Sequence, residues 1–177
     1  MFFKKKKNPN SDAFASTAPA QPTPQPQSQP QPQPQPQQNK SSDEEMTVSQ
    51  LIEFLPHAKD NSLKAKTYVL LAIYHHDGTN GAVKDLEKAV FYAEKAVECD
   101  EDNNATHFYL GSYLLHKALA ANNNDDIIKA IFRLILAHSK GNKDAYDVLG
   151  DVAKGNLFKN VSTADELINL FLNAIKK

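Results

Sequence analysis

Cysteine is almost absent from this chain of 177 residues, and Cys99 is the only one. One cysteine cannot form a disulfide within the chain, and it supplies too few ligands for a cysteine-based zinc site. A reactive thiol needs positively charged surroundings, whereas the sequence neighbours Glu98 and Asp100 are acidic. We therefore expect Cys99 to be an inert, partly buried thiol.

Arginine and long apolar runs are equally scarce. Arg133 is the only arginine, and residues 41–177 carry 15 basic against 20 acidic side chains. Such a charge balance offers little for phosphate recognition, so we expect no nucleic-acid partner. No apolar run reaches the roughly 18 residues that a membrane span needs, and no apolar segment of a secretory signal follows the basic start. We therefore expect a cytoplasmic protein.

Glycine and proline divide the chain into two unlike parts. No glycine precedes Gly78, and Pro56 is the only proline after Pro36. Sixteen of the eighteen residues 21–38 are glutamine or proline. Proline lacks an N–H and fixes φ, and nothing apolar here offsets the entropy of ordering. We expect residues 1–42 to be a disordered tail in which 21–38 form an extended spacer.

The tip of this tail, residues 1–7, pairs Phe2-Phe3 with the four lysines Lys4–Lys7. Two phenylalanines can insert into a membrane interface, and lysines are attracted to anionic lipids. The alternative is a solvated, disordered start. The tip therefore leaves two possibilities open, a membrane-proximal adaptor or a free tail.

Residues 43–177 show apolar residues at helical spacing, and no stretch alternates with a period of two for long enough to indicate a sheet. Glycine, asparagine and aspartate clusters interrupt the pattern and divide it into about seven helices. We predict an all-α domain, with a cap helix at 43–58 followed by repeated helix pairs.

A repeat of about 39 residues is the strongest pattern in the chain. Leu71, Leu110 and Leu149 lie 39 residues apart. Each leucine is followed by a small residue that lets helices approach closely: Ala72, Gly111 and Gly150. Three positions before each leucine is a residue with a ring: Tyr68, His107 and Tyr146. We expect the second helix of each pair to be capped by a polar residue: Asp85, Asp126 and Thr163.

The segment 64–99 carries a motif that runs from Tyr68-Val69-Leu70-Leu71-Ala72 through Gly78 to Lys88-Ala89-Val90 and Ala96. With this motif it resembles a Sel-one-like repeat, a relative of the tetratricopeptide repeat with a longer loop between its two helices. The resemblance implies a short α-solenoid with repeats at about 62–99, 103–141 and 142–176. It also implies a noncatalytic adaptor or scaffold that binds a protein or peptide on the concave face formed by the first helices.

The exposed positions of those first helices are the predicted partner-binding residues: Lys66, Val69, Ile73 and His76; Ala105, Phe108, Ser112, Leu115 and His116; Asp144, Asp147, Asp151 and Lys154. The first two groups offer apolar and histidine side chains, and the third offers carboxylates. We expect a ligand with an apolar anchor and a basic end. The alternative is that Phe108 and Leu115 belong to the core and the aspartates form a solvated face.

Catalytic and metal-binding motifs are weak. His75-His76-Asp77 is the only ligand-like cluster, and adjacent helical residues point about 100° apart, so the two histidines are poorly placed to share a metal. No glycine-rich phosphate loop and no nucleophile motif is present. We expect no enzyme activity, metal or cofactor. A small metal-binding or enzymatic protein that uses the histidine-rich first repeat remains the competing hypothesis, and dimerisation through an exposed end of the stack is left open.

Overall fold

The structure is a computed structural model that describes residues 45–176. The predicted basic tip and the Pro/Gln-rich spacer lie outside the described residues, so the expectations about them stay predictions. Residues 45–176 form seven α-helices and no strand. The helices are α1 Val48–Phe54, α2 Asn61–Asp77, α3 Leu86–Cys99, α4 Asn104–Ala121, α5 Asn124–Ser139, α6 Lys143–Lys154 and α7 Ala164–Ile175. The all-α prediction is confirmed.

The helices pack as neighbouring antiparallel pairs. The pairs are α2 with α3, α4 with α5, and α6 with α7, and each pair is joined to the next through α3 with α4 and α5 with α6. The first helices α2, α4 and α6 also contact one another in that order. The prediction of stacked helix pairs is therefore confirmed, with α1 packed on α2 at one end of the stack.

Polar caps fix where most helices begin. The side chain of Asp85 accepts a hydrogen bond from the Lys88 amide, and Thr163 forms a reciprocal capping box with Glu166, as predicted. The expected cap at Asp126 is wrong, because α5 begins earlier and Asn123 is its cap. The physical reason is the short connection: Asn122 already ends α4 in a left-handed conformation with φ 51°, which leaves Asn123 as the first residue able to cap α5.

The cap helix at the start of the stack is shorter than expected. Of the range 43–58, helix α1 occupies Val48–Phe54 and a 3-10 turn occupies Leu55–His57. Thr47 starts the helix through a capping box with Gln50. Pro56 lies in the 3-10 turn, where its missing N–H does not interrupt an α-helix.

The repeated leucines all point into the interior. Leu71, Leu110 and Leu149 are at most 3% exposed. At Gly111 an added Cβ would lie 2.8 Å from Leu134 Cγ, so the small residue there is required for α4 to approach α5. At Gly150 an added Cβ would meet nothing within 4 Å, so the expectation that it marks a close helix contact is wrong.

The buried residues fall into three clusters of unequal size along the stack. The largest cluster joins α4, α5, α6 and α7, a second joins α2, α3 and α4, and a third joins α1 and α2. Cys99 is partly buried at the end of α3, as expected. Within residues 45–176 no helix combines the length and apolar character needed to cross a membrane.

Candidate ligand-binding surface

The exposed sides of α2, α4 and α6 form one surface, which we call the first-helix face. All but one of the predicted partner-binding residues are at least partly exposed on it. Lys66, His116, Asp144, Asp147, Asp151 and Lys154 are exposed; Val69, Ile73, His76, Ala105, Phe108 and Ser112 are intermediate. Because α2, α4 and α6 contact one another in order, the face is continuous across the three helix pairs.

Leu115 departs from the prediction. It is 6% exposed and belongs to the core cluster that joins α4 to α7, so its expected exposure is wrong. The reason is its position on the side of α4 that packs toward α6, where Val148 and Val152 lie close to it. Its remaining exposed edge lies on the floor of a groove.

This groove lies between the carboxyl-terminal halves of α4 and α6 and encloses about 320 Å³. Its lining is almost entirely apolar: Leu115, Leu119, Val148, Val152, Gly155 and Leu157, with Asp151 at the edge. Leu119 and Leu157 are 44% and 45% exposed, so they are available to a ligand without unfolding. A groove of this kind can bury one large apolar side chain of a ligand.

Phe108 contributes less to the surface than predicted. It is partly buried, packs against the same core cluster, and contacts the edge of the Tyr109 ring at a centroid distance of 5.3 Å. Ser112 lies next along the face, and its buried hydroxyl oxygen has no hydrogen-bond partner among the described residues. The apolar part of the face is therefore centred on the groove rather than on Phe108.

An acidic strip borders the groove. Asp144, Asp147 and Asp151 recur at intervals of three and four residues on α6, which places them on one side of the helix, and all three are exposed. Asp151 lies 3.4 Å from Lys154, with both side chains largely in solvent, where such a pair contributes little. The strip therefore presents carboxylates beside an apolar groove. Of the residues that line the groove, only Leu115 and Asp151 are among the predicted partner-binding residues.

Two predicted face residues, 40 positions apart in the sequence, meet between α2 and α4. His76 Nε2 lies 3.1 Å from His116 Nδ1, and His76 Nδ1 lies 2.6 Å from Asp77 Oδ1. The ring of His76 also stacks on Tyr113 at 4.6 Å. The contacts of His76 with His116 and with Tyr113 join α2 to α4, so neither of these two follows from the helical pattern of one repeat alone.

The alternative of a metal shared by His75 and His76 receives no geometric support. The His75 ring is buried, stacks on Tyr92 and lies 3.3 Å from the carbonyl oxygen of Val83. The His76 ring turns instead toward His116. The two adjacent rings therefore face different neighbours, as the angular separation of adjacent helical residues requires.

A larger groove lies outside the predicted surface. It runs between α3 and α5 over α4 and encloses about 880 Å³. Glu94 and Glu98 line its α3 side, and Lys129 and Arg133 line its α5 side. The sequence did not predict this groove, because its two sides come from α3 and α5, which are distant in sequence; the solitary Arg133 on a second helix was the available signal.

A buried histidine lies beside this groove. His107 donates its Nε2–H to the Glu101 carbonyl oxygen at 2.6 Å, and its Nδ1 lies 3.5 Å from Arg133 Nη1. Burial lowers the pKa of His107, and the nearby Arg133 charge acts in the same direction. The imidazole is therefore held neutral, with its proton on Nε2, and it ties the loop after α3 to α5.

Within residues 45–176 no group of three or more His, Cys, Asp or Glu side chains is placed to hold a metal ion. Comparison of the chain with known protein families, with curated proteins and with solved structures found no match.

Proposed function

We propose that this protein is a noncatalytic binding module that captures a protein segment or peptide on the first-helix face. The ligand places a large apolar side chain in the groove between α4 and α6 and basic residues against the acidic strip of α6. The observation that carries the proposal is the direct contiguity of the two features, since Asp151 belongs both to the strip and to the edge of the groove.

The energetics fit a short linear ligand. Burying one leucine-sized side chain contributes about 1.5–3 kcal/mol, which alone gives weak binding. The exposed carboxylates Asp144, Asp147 and Asp151 add charge complementarity, which mainly increases the association rate and the specificity. A peptide with both elements is selected over one that carries either alone.

The proposal includes membership of the Sel-one-like, tetratricopeptide-related repeats. It is supported by the stack of helix pairs, by the 39-residue spacing of Leu71, Leu110 and Leu149, and by the close α4–α5 contact at Gly111. In such stacks the first helices line the concave side. Here α2, α4 and α6 contact one another, while the large groove separates α3 from α5, which is the arrangement expected of that curvature.

Selection of binders from a random peptide library displayed on phage tests this function. We expect enriched peptides to carry a large apolar residue with lysine or arginine close to it in sequence, on either side. Leu119→Glu places a charge in the groove and should weaken binding of a selected peptide by about tenfold or more. The double variant Asp147→Asn/Asp151→Asn should bind the peptide more weakly than the unaltered protein does. The difference between the two affinities should grow as the salt concentration is lowered.

Leu172→Glu is the matched control, because Leu172 is 42% exposed on α7 and does not line the groove. It should bind the selected peptides as the unaltered protein does. Equal binding by the Leu119→Glu variant, or enrichment of peptides without basic residues, would contradict the proposal.

A further inference from the structure

We propose that His76 and His116 form a two-histidine site for a divalent cation of the zinc class, open to solvent on the first-helix face. The site differs from the His75–His76 cluster that the sequence suggested, because its two ligands come from α2 and α4. It is also separate from the peptide groove, which lies between α4 and α6.

The distance between the two ring nitrogens suits a shared cation. His76 Nε2 and His116 Nδ1 lie 3.1 Å apart. The usual zinc–nitrogen bond length is about 2.0–2.1 Å. If both nitrogens kept this separation and each bound one Zn²⁺ at that length, the N–Zn–N angle would be about 98°. That angle lies between the octahedral and tetrahedral values. Without a cation, 3.1 Å is the length of an N–H···N hydrogen bond that His116 Nδ1 donates to His76 Nε2. A bound cation therefore replaces this proton, and both side chains rotate to point their nitrogen lone pairs at it.

The surroundings of His76 match those of a metal-bound imidazole. Its other ring nitrogen, Nδ1, lies 2.6 Å from Asp77 Oδ1, and a carboxylate can only accept this hydrogen bond. Histidines that bind metals characteristically donate their second N–H to such a carboxylate, which orients the ring and makes the ligating nitrogen more basic. Asp77 therefore leaves Nε2 as the nitrogen that faces His116.

Packing holds the His76 ring in place. The ring lies nearly parallel to that of Tyr113, with centroids 4.6 Å apart and planes inclined by 20°. Tyr113 is itself buried, so it provides a fixed support on α4. One ligand of the pair is therefore positioned before any cation binds.

Access and ligand type decide the class of cation. The His76 side chain is 26% exposed and His116 is exposed, so solvent reaches the pair. The chain supplies two nitrogen ligands, and water fills the other coordination positions. Imidazole favours zinc, nickel and copper, whereas magnesium favours oxygen ligands, so Mg²⁺ should not bind here.

Isothermal titration of the full chain with ZnCl₂ tests the site. We expect one Zn²⁺ per chain, with affinity reduced by about tenfold or more in His76→Gln and in His116→Gln, and no binding of Mg²⁺. Asp77→Asn should weaken binding by about tenfold, as loss of an outer carboxylate does in other metal sites. His57→Gln, an exposed histidine on the 3-10 turn, is the control and should titrate as the unaltered protein does.

A thermal measurement gives a second readout. A cation that bridges α2 and α4 binds the folded state more tightly than the unfolded chain, so Zn²⁺ should raise the Tm of the unaltered protein and of His57→Gln more than that of His116→Gln. Circular dichroism without metal establishes that the variants are folded. The same isotherm for the unaltered protein and for the His76→Gln/His116→Gln double variant, or no zinc binding by the unaltered protein, would overturn the site. No peptide enters this experiment, so its result is independent of the proposed binding function.

Discussion

His107 occupies the ring position of the second repeat, where the first and third repeats carry Tyr68 and Tyr146. A tyrosine there can remain partly exposed, whereas His107 is completely buried and satisfies the carbonyl of Glu101 in the loop after α3. His107 thus holds the loop between α3 and α4 against the interior of the protein. Its burial has a direct consequence for stability.

Protonation of His107 should couple folding to pH. Burial lowers its pKa below the ordinary value of 6.5, so below that pH the unfolded chain binds a proton that the folded chain does not. The contribution of His107 to stability is therefore complete above about pH 6.5 and is lost as the pH falls below it. We expect the free energy of unfolding to decrease between about pH 7 and pH 5, and to decrease less in His107→Gln.

Urea unfolding at a series of pH values measures this effect. Glutamine can still donate to the Glu101 carbonyl but does not titrate, which isolates the charge from the hydrogen bond. His57→Gln serves as the control for an exposed histidine. If His107→Gln retains the full pH dependence of the unaltered protein, the assignment to His107 is wrong.

At the scale of helices, the same residue type in the same repeat position has two different roles. Gly111 is buried where α4 presses against α5, and the nearest atoms to an added Cβ are Leu134 Cγ at 2.8 Å and the Ala130 carbonyl oxygen at 3.1 Å. The latter belongs to the main chain and cannot rotate away. Gly150 faces open space, so it only lowers the helix propensity of α6.

Alanine at these two glycines should change stability in opposite directions. Gly111→Ala forces α4 away from α5 and should destabilise the protein by about 1–3 kcal/mol. Gly150→Ala should stabilise it by about 0.5–1 kcal/mol, because alanine restricts the unfolded chain and adds no clash. Chemical denaturation of both variants measures the difference, and equal effects of either sign would refute the assigned roles.

At the scale of the whole molecule, the helix pairs are not equally supported. The central pair α4–α5 has a neighbouring pair on each side, whereas α1 is a short end helix with Leu51 as its only buried residue. In a linear stack each unit gains stability from its neighbours. Stability should therefore fall from the centre toward the end that α1 forms.

Native-state hydrogen exchange measures this gradient. Amides of α4 and α5 should show the largest opening free energies, and amides of α1 the smallest. The mid-helix amides of Leu110 and Leu134 report the centre, and the Leu55 amide, bonded to the Leu51 carbonyl, reports the end. Equal protection of α1 and α4 would mean that the stack unfolds only as one cooperative unit.

Local patterns in the sequence were sufficient for much of this fold. Helical spacing of apolar residues and the Asp85 and Thr163 caps predicted the helices, because each depends on residues close in sequence. The 39-residue interval predicted their pairing, because a repeated segment folds into a repeated helix pair. The acidic strip was equally predictable, since residues three and four apart share one side of a helix. The missed cap at Asn123 shows the limit, because the three consecutive asparagines 122–124 and the two aspartates that follow are locally equivalent candidates.

The amino-acid sequence by itself determined the all-α class, the repeated helix pairs and the side of α6 that carries carboxylates. Only the tertiary structure decided that Leu115 turns inward, that Gly111 is confined while Gly150 is free, and that His76 meets His116. The physical reason is range: helix formation and capping are set within a few residues, whereas close contacts depend on how helices distant in sequence are spaced and inclined when they pack.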